Sequence, residues 1–386
     1  MDIETDVLVI GGGVAGCATA LYLAREGVEV VVIDRADVNG EASGANAGSI
    51  HSQMSFNSFN DQTPEWIEAY LPVLPLLKLS IEVWKELAGE FDDDIELVTE
   101  GGLMVAESED QIALLGRKVA LENSHGVESS IIGRDEVVRL APYVSERVVG
   151  AEFCPNEGKI NPLLATVAIA RAAESAGARI RRFTELNALT SGKTGFEATT
   201  NQGRIRCARV VIAAGGWCDA IGDLLGITLP AGGRPIQMNV TEPTEHKVNH
   251  LVYTAGRKLT FKQAKAGNLI IGGGWPATLN PATGLPAVVR ETMQANLWTA
   301  MQVVPDVAHL RVIRTWAGTV NETPDGRPVL GPVPGVPGLF VNTFPGMGYT
   351  AGPCCARILA EAMCGKNLSF DIGIGAIDRF AKADHA

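Results

Sequence analysis

Apolar residues in the first part of the chain fall into two unbroken runs, residues 7–10 and 28–33, separated by an alanine-rich stretch of helical spacing at residues 17–25. Unbroken apolar runs of this length predict strands covered on both faces, as in a parallel sheet. Between the first run and the helix stands Gly11-Gly12-Gly13-Val14-Ala15-Gly16, and the second run ends at Asp34. Strand, glycine turn, helix, strand and acid is the order that a dinucleotide-binding unit requires. Gly11 permits the tight turn, Gly13 lets the backbone approach a pyrophosphate, and Gly16 lets helix and strand pack closely. The helix N-terminus offers its free N–H groups to phosphate. Asp34 stands where a carboxylate accepts from ribose hydroxyls and repels a 2′-phosphate, which disfavours NADP.

The pattern then turns polar. Residues 35–49 (RADVNGEASGANAGS) combine glycine with small polar side chains. They suit a plain connector, but their place after the acid favours a second cofactor-binding segment on Ser43, Gly44, Asn46 and Gly48. His51 follows, either packed in the core or facing a cofactor. Helical spacing over 64–87 is interrupted by Pro72 and Pro75, giving two helices or one kinked helix. The acid run 90–94 reads as a solvated loop, and residues 95–106 as two short strands around Gly101-Gly102. Helices are expected at 109–123 and 135–140, a strand at 148–153, and a helix capped by Asn161 with Pro162 at its first position.

A strand near Arg179 leads into a small meander at 185–188, 195–200 and 203–207. The strand 209–213 runs directly into Gly215-Gly216-Trp217, a second place where backbone can meet a ligand. From 234 to 274 the residues alternate, with strands at 235–240, 258–263 and 269–273 joined by short polar loops, as in an antiparallel sheet. A helix over 285–303, a strand at 312–318, a turn at 323–326 and a strand at 339–341 follow. The last glycine-rich passage, TFPGMGYTAG, precedes a helix expected over 353–364, whose N-terminus at Gly352-Pro353 could stabilise negative charge on a reduced flavin.

Length changes the picture first: 386 residues allow about two domains. The expected fold is mixed α/β, with residues 1–58, 145–232 and 312–386 forming a Rossmann-like cofactor domain. Residues 59–144 and 233–311 form an inserted antiparallel-sheet substrate domain. A net charge of −12 argues against nucleic acid as a partner. The seven cysteines form no metal-binding spacing and read as reduced, buried thiols. No signal peptide and no membrane-spanning run is apparent, so a cytoplasmic setting is expected. No nucleophile–base order, paired carboxylates or metal motif stands out. The cofactor therefore performs the difficult step.

The ordered motifs GGGVAG, Asp34, EASGANAG, KINPLLATVAIARAAESAGARI, VVIAAGGWC, TWAGTVNETPDGRPVLGP and FPGMGYTAGP resemble the FAD-dependent D-amino-acid oxidase (DAO) superfamily over nearly the full length. That group includes glycine oxidase and sarcosine oxidase. Within it, SGANAGSIH and FPGMGYTAGP are most similar to the flavin-bearing subunit of heteromeric opine dehydrogenases, hydroxyproline dehydrogenases and hydrogen cyanide synthase. The resemblance implies an amine or amino acid lying against the flavin, hydride transfer from the carbon bearing nitrogen to flavin N5, and partner subunits. It implies FAD contacts from Gly11, Gly13, Val14, Ala15, Gly16, Asp34 and Arg35, and from Ser43, Gly44, Asn46, Ala47 and Gly48. Further contacts are implied for Leu186, Ala214, Gly215 and Trp217, and for Gly346, Met347, Gly348, Tyr349 and Thr350. No residue marks a covalent flavin link, and noncovalent FAD is expected.

One departure matters. Glycine oxidase carries a carboxylate-clamping arginine shortly after its Trp-Ala-Gly, where this chain has Val320. Arg257, Lys258 and Lys262, in the segment that would roof the flavin, are the candidates to replace it, with His51 as a further catalytic candidate. The competing readings are a stand-alone, oxygen-using oxidase and a noncatalytic FAD-bearing subunit. A nicotinamide dehydrogenase is the weakest, because the later glycine segments would have no purpose.

Overall fold

Val7 to Ile10 are the buried end of a strand, Ile3–Ile10, that pairs in parallel with Val30–Ile33 on one side and Gly203–Ile212 on the other. The computed structural model describes residues 2–380. Outward from this centre, the sheet continues to Arg179–Arg181 beyond Val30–Ile33, and to Leu339–Thr343 and then Val329–Pro332 beyond Gly203–Ile212. The hairpin Leu186–Gly192 and Gly195–Thr200 hangs from Gly203–Ile212. The runs 203–207 and 209–213 are therefore one strand, its first half pairing with the hairpin and its second half with the sheet centre and Leu339–Thr343. Against one face pack Val14–Arg25, Pro162–Ser175, Val73–Glu90 and Gly348–Met363 in a single apolar core. Asn161 caps its helix as expected, accepting from the Leu163 N–H at 3.0 Å. The interrupted pattern at 64–87 resolves into two helices, Pro64–Tyr70 and Val73–Glu90. Pro75 lies in the first turn of the second, where a missing N–H costs nothing.

The second sheet is larger than the alternation at 234–274 indicated. Its strand order is Val312–Glu322, Gly232–Pro243, Asn268–Pro276, Thr260–Gln263, Leu251–Thr254, Gly102–Ala106, Gly150–Cys154 and Ser130–Gly133. All neighbours are antiparallel except Leu251–Thr254 with Gly102–Ala106. Two strands placed by sequence in the cofactor segments, Gly150–Cys154 and Val312–Glu322, thus hydrogen-bond into the roofing sheet. Residues 95–101 make no strand of their own; Val98 forms only an isolated bridge to Lys159. The helix expected over 285–303 starts later, at Arg290–Val303, because Pro286–Ala287 pairs with Thr278–Leu279 in a short ribbon.

The C-terminal helix also departs from expectation. It runs Gly348–Met363, so Pro353 is inside it and Gly352-Pro353 is not its N-terminus. A proline there leaves the carbonyl four residues earlier, that of Tyr349, without an intrahelical donor. Trp84 supplies one: its buried indole N–H lies 3.1 Å from the Tyr349 oxygen and 3.0 Å from that of Thr350. No helix among the described residues is long and apolar enough to cross a membrane. All seven cysteines are free, and all but Cys364 are buried.

Candidate active site

Two adjacent parallel strands, Ile3–Ile10 and Gly203–Ile212, end side by side at Gly11–Gly13 and Ala213–Gly215, where the strand order of the sheet reverses. Open α/β sheets bind ligands at such a point. An elongated cleft begins there, with about 1680 Å³ of atom-free space including its mouth. It is lined by Asp34, Arg35, Glu41 and Leu186, by Gly346, Gly348 and Tyr349, and by Ile236, Met238, Gly318 and Val320 of the second sheet.

The local geometry follows from the residue types. Gly11 has φ +117°, and a Cβ there would strike the Ala213 carbonyl. A Cβ on Gly16 would strike the Gly11 carbonyl, so Gly16 serves close packing and does not line the cleft. Gly13 caps Val14–Arg25 without a side-chain hydrogen bond, and the first turn carries no acid. The Val14 N–H donates to Ser43 Oγ at 3.0 Å, which ties the second cofactor segment to the first helix. Asp34 is held by the Gly12 N–H at 2.6 Å and the Ala36 N–H at 2.8 Å, one to each carboxylate oxygen. Arg35 lies 4.3 Å over the Trp217 ring and pairs with Glu41 at 2.8 Å. The Trp316 indole donates to the Ala45 carbonyl at 2.8 Å and pins the roof to the loop.

Of the residues named from sequence, Gly11, Gly13, Val14, Ala15, Asp34, Arg35, Ser43 and Asn46 line the cleft. So do Leu186, Ala214, Gly215, Trp217, Gly346, Gly348 and Tyr349. Gly44 and Gly48 instead accommodate the carbonyls of Asn39 and Ile160. Ala47 is buried beside Gly48, Met347 precedes the C-terminal helix and accepts from the Tyr70 hydroxyl, and the fully buried Thr350 accepts from the His51 N–H at 3.1 Å.

The three basic candidates separate cleanly. Lys258 is exposed. Arg257 is committed to Glu107 at 2.6 Å and lies over Trp298. Lys262 is buried, and its ammonium donates to Ser49 Oγ at 2.6 Å. Gly272 lies between Met238 and Thr260, within 3.3 Å of both for an added Cβ, so Thr260 shares a sheet face with Met238. Lys262, two residues on, shares that face, the one on which Met238 meets the cleft, but Lys262, Ser49 and His51 themselves are not among the residues that line it. Burial, then the charge of Lys159, pushes the Lys262 ammonium well below its usual pKa. His51 is half-buried; its Nδ1 lies 2.5 Å from the Tyr253 hydroxyl. Burial first, and then Lys262, push its imidazole down to about 3, so it is neutral at working pH. Burial holds the Tyr253 phenol well above 10, so it keeps its proton.

Next to this site lies a fully buried ionic cluster that sequence reasoning missed. Lys118 donates to Glu122 at 2.7 Å and to both oxygens of Glu152 at 2.9 Å. Glu157 accepts the N–H groups of Ser52 and Gln53 and raises no pattern in the sequence, since its partners lie about a hundred positions away.

The DAO family model, described as FAD dependent oxidoreductase, matches residues 6–362. The chain belongs to the DAO family of FAD dependent oxidoreductases. This flavoenzyme is similar to glycine oxidase of Geobacillus kaustophilus, at 27% identity over 97% of each chain. The crystal structure of glycine oxidase from that organism superposes with a TM-score of 0.85 at 25% identity, covering 98% of this chain and 99% of that one. It is similar also to an opine oxidase subunit of Rhizobium meliloti, at 26% identity over 98% of each chain. The sarcosine oxidase beta subunit of Arthrobacter sp is 28% identical over 93% of this chain and 88% of its own.

The residues present fit FAD. Gly215 and Gly346, with φ +54° and +63°, line the cleft, and a Cβ on either would enter open space. Those positions keep side chains out of a long, flat ligand's path. An oriented Asp34 carboxylate and, beside it, a helix N-terminus with no acid in its first turn suit a ribose and a pyrophosphate. The position of the missing arginine, Val320, lines the cleft as an apolar wall.

Proposed function

We propose that this flavoenzyme oxidises the carbon–nitrogen bond of a secondary amine or amino acid bearing a carboxylate: an N-substituted amino acid, an opine or a proline derivative. The observation that carries the reading is Lys262, a buried ammonium on the cleft-facing side of the roof that has no carboxylate partner among the described residues. When bound, FAD supplies at N5 an acceptor for the hydride on the carbon that bears nitrogen.

The chain's own residues position the amine. Lys262 holds the carboxylate in a site where few waters compete, which strengthens the attraction. His51, neutral and hydrogen-bonded through Nδ1 to Tyr253, adds no competing positive charge beside Lys262. Ile236, Met238 and Val320 provide an apolar wall that keeps water from the reacting carbon. The names of two relatives, one a subunit of an opine oxidase and the other the beta subunit of a sarcosine oxidase, support a catalytic subunit of a larger assembly. The free cysteines, all but Cys364 buried, suit a reducing, cytoplasmic setting. The similarity to glycine oxidase favours a second reading, a stand-alone enzyme that passes electrons to oxygen.

Anaerobic mixing of the purified flavoprotein with a panel of sarcosine, proline derivatives, opines and glycine tests the proposal. Bleaching of the flavin by a member of the panel is the expected result. A flavin that dithionite bleaches but no amine does would leave only a noncatalytic role. Rapid peroxide formation by the chain alone in air would favour the stand-alone oxidase over the assembly.

A further inference from the structure

Three successive backbone N–H groups, those of Ser52, Gln53 and Met54, end on buried carboxylates. Ser52 and Gln53 donate to one oxygen of Glu157 at 2.8 and 2.9 Å, and Met54 donates to Glu122 at 2.7 Å. The Gln53 side-chain amide takes the second Glu157 oxygen at 2.8 Å. These residues continue the segment whose Ser43, Ala45 and Asn46 line the cleft. The cluster around Lys118 therefore fixes the far end of a cofactor-holding segment.

The charges of that cluster do not balance. Glu122, Glu152 and Glu157 are fully buried, and among the described residues equally buried Lys118 is the one cation that pairs with any of them. A buried carboxylate without a counter-charge is neutralised by a proton. The hydrogen bonds indicate where that proton sits. Glu157 has its three N–H donors, and Glu122 has the Met54 N–H, the Ser129 hydroxyl at 3.1 Å and Lys118. Glu152 has Lys118 alone, and its cross-strand neighbours, Met104 and Ile131, are apolar.

The proton affinities agree. Burial, opposed by Lys118 and reinforced by Glu122, holds the Glu152 carboxyl well above the usual range. Burial raises Glu157 too, against the pull of the Gln53 and Ser52 N–H groups. Burial works against the charge on Lys118, but Glu152 and Glu122 outweigh it and leave that ammonium raised. The other titratable groups around the cluster, Tyr70, Tyr253 and Cys154, are all raised by burial and keep their protons, Cys154 up to about 12.

We infer that Glu152 carries a structural proton that closes a clasp on residues 52–54, and that losing it to solvent at alkaline pH loosens the cofactor segment and releases FAD while the fold persists. Once Glu152 is ionised, it and Glu122 compete for one ammonium, and the repulsion is relieved by admitting water and freeing the Met54 N–H. Above the ordinary glutamate pKa the unfolded chain has already lost a proton that the folded chain keeps. The contribution of Glu152 to stability therefore falls as pH rises, until Glu152 itself ionises. The inference needs no assumption about the substrate.

The test follows free-flavin fluorescence after the FAD-loaded protein is diluted into buffers of increasing pH, with circular dichroism on the same samples. The release rate should climb by up to about tenfold per pH unit, the slope that one proton sets, before the dichroism changes. Glu152→Gln, which keeps the shape without the titrating proton, should flatten that slope. A wild-type rate independent of pH, a slope that Glu152→Gln leaves unchanged, or release only where the dichroism also collapses overturns the inference. Infrared spectroscopy of the wild-type protein covers the case in which Glu152→Gln fails to fold. A protonated carboxylic acid band should be present at neutral pH and disappear over the pH range in which FAD is released. No such band, or one that titrates apart from the release, overturns the inference as well.

Discussion

The ammonium of Lys262 stands 2.6 Å from the hydroxyl of Ser49, joining the roofing sheet to the last residue of the polar segment 35–49. A buried, unpaired charge destabilises a fold and is kept where a ligand uses it. Lys262→Met should therefore raise the thermal midpoint while weakening the amino-acid substrate. Losing a charged hydrogen bond of about 1.5–3 kcal/mol raises KM by roughly ten- to a hundredfold. Scanning calorimetry beside steady-state kinetics checks both directions in one variant. A fall in stability with unchanged KM would make Lys262 a purely structural residue.

The same lysine sets a pH dependence. Burial, then Lys159, lowers its pKa in the folded state below that of the unfolded chain. Between those two values the unfolded state binds more protons, so stability rises with pH across that window. A carboxylate ligand prefers the charged lysine, so its affinity falls as pH rises through the free enzyme's value. That alkaline limb should vanish in Lys262→Met. His51, already pushed down to about 3, should contribute no limb near 6.5. An acid limb near 6.5 that disappears in His51→Asn would contradict the burial of that ring.

Two kinds of glycine in the cofactor site should respond oppositely to alanine. At Gly16 the new Cβ meets the Gly11 carbonyl, so Gly16→Ala should fail to give folded protein. At Gly215 it meets nothing, so the fold should survive the left-handed conformation at a cost of about 1–2 kcal/mol. Flavin affinity should nonetheless fall by roughly 1–3 kcal/mol, as for an overfilled site. Circular dichroism and flavin titration on both variants distinguish the two roles. Unimpaired flavin binding by Gly215→Ala would remove that turn from the site.

Trp84 and Pro353 form a testable pair. Trp84→Phe leaves the Tyr349 carbonyl buried without a donor and should cost about 1–3 kcal/mol. In a Pro353→Ala background an intrahelical N–H replaces the indole, so the same substitution should cost less. A double-mutant cycle in urea measures the difference; equal costs in both backgrounds would show that the proline does not create the need for Trp84.

Much of this was legible in the chain. The first βαβ unit could be read because turn, helix and acid are adjacent in sequence and each obeys a local rule. Asn161-Pro162 and the segment around Ser43 are local in the same way. The roofing sheet was only partly visible, because Gly102–Ala106 and Gly150–Cys154 join it through pairings with Leu251–Thr254 and with each other, across long separations. The start of the C-terminal helix was misplaced because proline usually opens a helix; its interior position depends on a tryptophan 265 residues before Tyr349. Lys258, Arg257 and Lys262 looked alike in sequence, yet the strand is Thr260–Gln263, and only Lys262 lies within it. Glu152 carried no local signal at all.

The most direct test of the account is a single anaerobic turnover of the FAD-loaded protein with an N-carboxyalkyl amino acid, followed by product analysis. Loss of the flavin's yellow colour with one equivalent each of a carbonyl compound and a free amine per flavin reduced is the predicted result. A flavin that stays oxidised, or that bleaches while the amine is recovered intact, would contradict it.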